Sequence, residues 1–351
     1  MTKRERFQNF LENKPVDRVP VAFFHHFCRF EDFGKGVDDD AILEQNIEGH
    51  RRALAAFDPD VAKIMNDSLM LMPVDASFVE TPADLYKIKP LSMDSKFVQR
   101  TLELTRRVKE IYSSTGAPLY ATGFSPSLVL RNSLAAGGLP GAGGNESKLT
   151  HLLAQDPEAV AAAVKTLSEG IIQLNQLLLT QGGVDGIYLS VNNQCGFFPD
   201  DIYLSHIAPW DKAVLAAANE LSSMNLLHIC GFAGRANNLN LFTGFEEAAY
   251  NWAVHAEGVS LAEGKKLFGG KPVFGGFEQD GVIYTGSREE VEKATFRILE
   301  DCGQTGIMLG PTAPSPPTSM ITVWSGYARL PLRLPTNRAC RTAVVHKNHN
   351  H

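Results

Sequence analysis

Short apolar runs alternate with longer amphipathic segments along most of this chain. Eight of the runs have the length of a β-strand, and turn-forming residues flank each of them. They span residues 20–24, 61–66, 118–123, 186–191, 225–230, 248–252, 272–276 and 306–310. Apolar positions with the period of an α-helix occupy most intervening segments, most clearly residues 41–57, 95–113, 157–181, 210–223 and 287–302. This alternation predicts an α/β protein with parallel strand pairing.

Eight strand–helix units in one chain favour a closed barrel. We therefore predict a (β/α)8 TIM barrel in a single domain over residues 1–310, with a short N-terminal helix at residues 4–13. The length of 351 residues fits such a barrel without a second domain, and a doubly wound open sheet is the alternative. Residues 311–351 form an atypical tail, because they contain no Asp or Glu although the whole chain has 39 acidic residues.

Composition and charge narrow the functional classes. A formal net charge of −6 argues against nonspecific nucleic-acid binding, which relies on clustered Lys and Arg. Residues 1–13 are polar, and no apolar stretch approaches the roughly 18 residues of a membrane span, so we expect a cytoplasmic protein that does not enter a membrane. The five cysteines are odd in number and widely spaced, which predicts free thiols or metal ligands rather than a disulfide framework.

The sharpest chemical motif lies at the end of the fifth predicted strand. Catalytic groups in a barrel of this kind come from the C-terminal ends of the strands. His228 and Cys230 are two positions apart, so on a strand both side chains point to the same face. An imidazole and a thiolate on one face form half of a zinc site. The alternative is a buried His and a buried Cys that hold no metal.

Residues 227–231 (Leu-His-Ile-Cys-Gly) resemble the zinc motif of corrinoid-dependent methyltransferases in the uroporphyrinogen decarboxylase superfamily. The resemblance extends to residues 4–7 with 15–20, and to residues 63–67, 251–252 and 275–286. It implies that zinc is held by His228, Cys230 and a second cysteine from the end of strand eight. It also implies that zinc lowers the pKa of a bound thiol, and that the thiolate attacks the methyl group of a corrinoid carried by a partner protein.

The chain departs from this pattern in two places. The eighth predicted strand is followed by Pro311-Thr312-Ala313-Pro314, without the expected cysteine. We interpret the tail as a frameshift product, because a shifted frame that starts after Pro311 permits the string DCTIPADIDDHRLEWVRQAA; a genuinely divergent tail is the alternative. In addition, only Arg29 remains where true uroporphyrinogen decarboxylases carry an arginine-rich motif for substrate carboxylates, which argues against porphyrinogen decarboxylation.

Other strand ends supply further candidate residues. The resemblance implies that Asp67 occupies the position of the family's catalytic aspartate, and we predict catalytic roles for Asp67, Asn66 and Asn193. The predicted substrate-binding residues are His25, His26, Asn192, Trp252 and Phe277. Glu257 is a candidate further metal ligand or a general base, and its alternative is a solvated loop acid.

The leading hypothesis is zinc-dependent methyl transfer between a corrinoid on a partner protein and a thiol or methoxylated small molecule. One alternative is a metal-free decarboxylase that acts on a porphyrinogen-like or smaller acid, with Asp67 at its centre. Another is a non-catalytic relative that binds a tetrapyrrole or a corrinoid protein. The sequence does not decide between a monomer and a homodimer.

Overall fold

The computed structural model of the chain describes residues 1–70, 72–135, 148–278 and 281–311. The predicted tail therefore lies outside the described residues, apart from Pro311. Within the described ranges, no helix is both long enough and apolar enough to cross a lipid bilayer.

Seven parallel strands form one half-barrel sheet in the described part of the chain. They are β1 (Ala62–Lys63), β2 (Leu119–Phe124), β3 (Gly186–Val191), β4 (Leu226–Ile229), β5 (Ala249–Trp252), β6 (Val273–Phe277) and β7 (Ile307–Pro311). Each strand pairs with the next one along the chain, so the strand order follows the sequence order. The prediction of an α/β fold with parallel pairing is confirmed.

Helices lie between the strands, as the periodic pattern predicted. The α-helices are α1 (Lys3–Leu11), α2 (Asp40–Ala56), α3 (Pro82–Leu85), α4 (Lys96–Tyr112), α5 (Pro126–Leu134), α6 (Lys148–Gln155), α7 (Pro157–Leu177), α8 (Asp200–Ile202), α9 (Ala208–Asn219), α10 (Val254–Glu257), α11 (Leu261–Leu267), α12 (Val282–Thr285) and α13 (Arg288–Cys302). Local sequence signals start several of them. Capping boxes begin α1 and α13, and Asp156 caps α7, whose first residue is Pro157.

The predicted first strand, residues 20–24, is wrong as a regular strand. It is reduced to one parallel bridge, in which Val21 pairs with Leu309 of β7. The Ala22 N–H donates to the Leu309 carbonyl at 3.0 Å, and the Asp60 N–H donates to the Val21 carbonyl at 2.9 Å. The segment therefore lies between β7 and β1 but adds no ladder beyond the bridge. Farther along, the amides of Phe27 and Cys28 donate to a carboxylate rather than to a neighbouring strand.

The second predicted strand, residues 61–66, is shorter than expected because side chains take over its hydrogen bonds. The Met65 N–H donates to His50 Nε2 at 3.2 Å, and the Met65 carbonyl accepts from Asn46 Nδ2 at 2.8 Å. Both partners lie on α2. The backbone therefore stops pairing with β2 soon after Lys63, and the polar residues Asn66 and Asp67 follow.

A buried carboxylate joins the N-terminal segment to the sheet. Asp60 is fully buried and accepts hydrogen bonds from Arg6 Nη1 at 2.8 Å and from Arg18 at 2.6 and 2.8 Å. It also accepts from the Val21 N–H at 2.9 Å, and Arg6 donates to Asp17 as well. Arg6, Asp17 and Arg18, which lie in the N-terminal segments that carry the resemblance, therefore have a structural role. Through Asp60 they hold α1 and the Val21 segment against the start of β1.

Candidate functional site at the carboxyl ends of the strands

A cavity of about 300 Å³ opens at the carboxyl ends of β1 to β4. Alternate residues at or just past each strand end line it, because successive side chains of a strand point to opposite faces. From the strands, these lining residues are Lys63, Met65, Thr122, Phe124, Tyr188, Ser190, Asn192, His228 and Cys230. Its size is at the lower end of the range for small-molecule sites.

His228 lines this cavity and is held in one tautomer by Asn251. The Asn251 side-chain amide donates from Nδ2 to the Phe274 carbonyl at 2.8 Å, so its oxygen faces the other way. That oxygen lies 2.5 Å from His228 Nδ1 and also accepts from the Tyr188 hydroxyl at 3.0 Å. Nδ1 therefore carries the proton, and the Nε2 lone pair is left without a hydrogen bond to any described residue. Burial lowers the pKa of His228 to about 3, so the ring is neutral at pH 7.

Cys230 lines the same cavity, so the two residues of the motif share one face, as their spacing requires. The Cys230 carbonyl accepts from Gln194 Nε2 and from Asn237 Nδ2, each at 3.1 Å, which fixes the backbone at this point. Burial raises the pKa of the Cys230 thiol, and Lys63 and Arg131 offset only part of that effect. The free protein therefore holds a protonated thiol at neutral pH.

These two residues supply two metal ligands and not three. Among the residues that the structure describes, no group of three His, Cys, Asp or Glu side chains could hold a metal ion. The cysteine that the resemblance called for at the end of strand eight would lie past Pro311, outside the described residues. His228 and Cys230 thus fit zinc in donor type but form an incomplete ligand set.

Glu257, the candidate further ligand, lies beside the cavity lining and not in it. Its carboxylate accepts from the Asn237 backbone N–H at 2.7 Å and from Asn237 Nδ2 at 2.8 Å. Asn237 in turn accepts from the Asn193 N–H at 2.7 Å and donates to the Cys230 carbonyl. Glu257 therefore fixes the loop that supports the Cys230 backbone.

Asp67 is buried behind the cavity wall. Its carboxylate lies 2.8 Å from His26 Nδ1 and accepts from the backbone amides of Phe27 at 2.5 Å and Cys28 at 3.2 Å. Burial raises the pKa of Asp67, but His26 and the two amides outweigh it and hold that pKa below its ordinary value. The adjacent Asn66 lines the cavity, as does His26. Asp67 therefore positions the loop that presents His26 rather than facing the cavity itself.

The remaining predicted residues divide between the cavity and the core. Asn192 lines the cavity, whereas the Asn193 side chain both donates to and accepts from the Phe198 backbone at 2.9 Å. Trp252 is fully buried and donates from Nε1 to the Val259 carbonyl at 2.9 Å. Phe277 packs in the core, and His25 is fully buried away from the cavity lining.

Sequence reasoning missed the two basic residues of the cavity lining, Lys63 and Arg131, of which Lys63 matters more. Lys63 is 6% exposed, and its ammonium lies 4.4 Å from the centre of the Tyr188 ring and 5.1 Å from that of Phe24. Burial lowers the pKa of Lys63 to about 8. Arg131, on α5, is 5% exposed and lies 4.9 Å from the Phe197 ring. A lysine inside an apolar strand run was the available signal, because buried charges are rare without a partner.

Comparison with known proteins supports the family and the fold. The family model described as uroporphyrinogen decarboxylase (URO-D) matches residues 65–321. None of the curated proteins matches the chain. A solved structure of a B12-independent methionine synthase from Shewanella sp. W3-18-1, in complex with selenomethionine, is 13% identical and covers 89% of this chain and 97% of that one, with a TM-score of 0.52. At this identity the likeness concerns the fold alone.

A second solved structure is more distant. The protein GH5_18 from Streptomyces cattleya, in complex with GlcNAc, is 12% identical and covers 89% of this chain and 81% of that one. Its TM-score is 0.47, and it carries no argument about this chain.

Proposed function

Because the chain belongs to the uroporphyrinogen decarboxylase family, we propose that it is a methyltransferase. It moves a methyl group between a corrinoid on a partner protein and a thiol or a methoxylated small molecule. We also propose that the seven-stranded sheet closes into a (β/α)8 barrel through the segment at Val21, whose backbone bonds to both Leu309 and Asp60 support this closure.

The observation that carries this proposal is the pairing of His228 with Cys230 on one cavity face. Asn251 holds the His228 ring so that Nε2 offers a lone pair, which is the form of imidazole that binds a metal. Gln194 and Asn237 fix the Cys230 backbone. A carbonyl acceptor on the far side of a ligating histidine is a common feature of zinc sites.

His228 and Cys230 would hold zinc, and the ion would supply Lewis-acid activation of a substrate thiol at neutral pH. The activated substrate sulfur would be the acceptor of the methyl group, and the methyl carrier would be the leaving group. This chain's own part is to bind and orient the small substrate. Asn192 and Ser190 supply polar groups at the cavity wall, and aromatic side chains form much of the rest of the wall.

Decarboxylation receives less support from the site. In that alternative, Asp67 would contact the substrate directly. Its carboxylate instead accepts hydrogen bonds from His26 and from two backbone amides, and it does not line the cavity. An aspartate with its oxygens already engaged in the fold is poorly arranged to bind a substrate N–H.

Zinc affinity tests the proposal. We would measure it on the full-length chain by competition with a chromogenic chelator, for the original protein and for Cys230→Ser. The original chain should bind one zinc weakly, since a ligand is missing, and Cys230→Ser should bind it about tenfold more weakly or worse. Cys302→Ser is the matched control, because Cys302 lies on α13 and contacts the Ile298 carbonyl. Equal zinc affinity in Cys230→Ser and the original chain would contradict the proposal.

A second version of the chain tests the missing ligand. Replacing the residues after Pro311 with the shifted-frame string restores a cysteine at the expected place. This version should bind zinc more tightly and should demethylate methylcobalamin in the presence of a small thiol such as 2-mercaptoethanol. A restored chain that is metal-free and decarboxylates a porphyrinogen would support the alternative function.

A further inference from the structure

The cavity contains two buried positive charges and no recorded negative one. Lys63 and Arg131 both line it, and no Asp or Glu is among the described residues that do so. Cationic side chains therefore outnumber acidic ones among the described residues that line the cavity.

The Lys63 ammonium lacks the partner that a buried charge normally has. It lies over the Tyr188 and Phe24 rings, and the buried Asp67 carboxylate acts on it only electrostatically, because no hydrogen bond or ion pair joins Lys63 to another described residue. Lys271 provides the contrast within this chain. Although it is more exposed than Lys63, its ammonium lies 2.7 Å from a Glu247 carboxylate oxygen. Burial of a charge without such a partner costs free energy, and a structural lysine at this place would be expected to have one.

Arg131 has a similar contrast. Its Nε is buried and lacks a hydrogen-bond partner among the described residues. Arg6 is equally buried, at 5% exposure, yet it donates to both Asp17 and Asp60. The fold thus pairs its structural arginine with two carboxylates and leaves the cavity arginine stacked on Phe197. A planar guanidinium is well suited to a carboxylate because it can donate two parallel hydrogen bonds.

We propose that the cavity binds a small organic anion, in which a carboxylate is held by Lys63 and Arg131 and an apolar body contacts the aromatic wall. The wall consists largely of Phe30, Phe33, Phe124, Leu128 and Phe232. The anion supplies the direct hydrogen-bonded partner that Lys63 and the Arg131 Nε lack among the described residues. The proposal rests on the proposed function in taking this cavity as the substrate site, and it narrows the small substrate to one that carries a carboxylate.

Isothermal titration calorimetry on the full-length chain tests this assignment. The probes are three carboxylates that differ in their apolar part (4-methoxybenzoate, benzoate and hexanoate), and each is compared with its neutral amide. At least one acid should bind about tenfold or more tightly than its amide, since hydrogen bonds between ionised groups are stronger than those of a neutral amide. If no acid binds more tightly than its own amide, the proposal is wrong.

Variants assign the effect to the two cations. Lys63→Met and Arg131→Met should each remove most of the preference for the acid, while the amide binds as before and so reports an intact cavity. An unchanged acid preference in both variants would overturn the proposal. The zinc affinity of the original chain separates this result from the proposed function. If the original chain shows the acid preference but binds no zinc, the substrate assignment stands and zinc-dependent methyl transfer is rejected.

Discussion

The Asn251 side-chain oxygen lies 2.5 Å from His228 Nδ1, and this single contact determines which nitrogen of His228 faces the cavity. The oxygen is aimed there because the other end of the amide donates to the Phe274 carbonyl. With the proton held on Nδ1, Nε2 keeps its lone pair. The neighbouring strands β4 and β5 bring the two residues together, since His228 and Asn251 are register partners.

Asn251→Ala should therefore weaken zinc binding although residue 251 is not itself a ligand. Loss of such an outer partner typically lowers metal affinity about 10- to 100-fold. Chelator competition on the chain with the restored tail measures the change. Asn240→Ala is the control, because Asn240 is exposed and its side chain donates only to Asn238 in the described residues. Unaltered zinc affinity in Asn251→Ala would mean that the His228 tautomer does not matter for the metal.

Lys63→Met should make the protein more stable while it removes anion binding. Burial lowers the pKa of Lys63 from 10.5 to about 8, and at about 1.4 kcal/mol per pKa unit the buried charge costs on the order of 3 kcal/mol. Methionine fills similar volume without a charge. Urea unfolding at pH 7 should give a higher free energy of unfolding for Lys63→Met. Lys271→Met, which removes the partner of Glu247, should lower it.

The pH dependence of this difference follows from the sign of the pKa change. Between pH 8 and 10.5 the unfolded chain binds the Lys63 proton and the folded chain does not, so the folded state gains stability as pH rises. The advantage of Lys63→Met should be largest below pH 8 and should disappear near pH 10.5. A constant advantage across this range would show that the gain comes from packing and not from charge.

Asp60→Asn should destabilise the protein strongly. The variant leaves the buried guanidinium of Arg6 and the partly buried one of Arg18 without their shared carboxylate, a change that costs about 3–5 kcal/mol when a buried pair is broken. Asp38→Asn is the matched control, since Asp38 pairs with Lys96 on the surface and should lose less than about 1 kcal/mol. Urea unfolding compares the two. Similar small losses of stability in both variants would contradict the structural role of Asp60 and its two arginine partners.

Periodicity predicted the fold well because it reflects burial, which the sequence carries directly. The runs at residues 186–191 and 248–252 coincide with β3 and β5 to within one residue. The same rule placed His228 and Cys230 on one cavity face, since strand side chains alternate. The run at residues 20–24 failed as a strand because an apolar run specifies burial and not the number of ladder hydrogen bonds.

The orientation of side chains past the strand ends was not predictable in the same way. Asn66 and Asp67 are neighbours, yet only Asn66 lines the cavity. The Asp67 carboxylate is held by backbone amides at Phe27 and Cys28, about 40 residues earlier. Asn193 is likewise held by the Phe198 backbone. Such hydrogen bonds between a side chain and a distant backbone depend on loops that meet only in the folded chain, and no local sequence pattern predicts them.

Acid should destabilise the protein through His50, a buried residue that does not line the cavity. His50 is fully buried between α2 and the end of β1, where Nε2 accepts from the Met65 N–H at 3.2 Å. Burial lowers the pKa of His50 from 6.5 to about 4, so the unfolded chain takes up this proton first as pH falls. Stability is therefore lost between pH 6.5 and 4, by about 3 kcal/mol for this residue.

In His50→Gln the amide oxygen can still accept from Met65 but does not titrate. Its free energy of unfolding should fall less steeply over this range than that of the original chain, although burial of His228 leaves a residual slope. Parallel slopes in the two proteins would mean that His50 takes up no proton on unfolding.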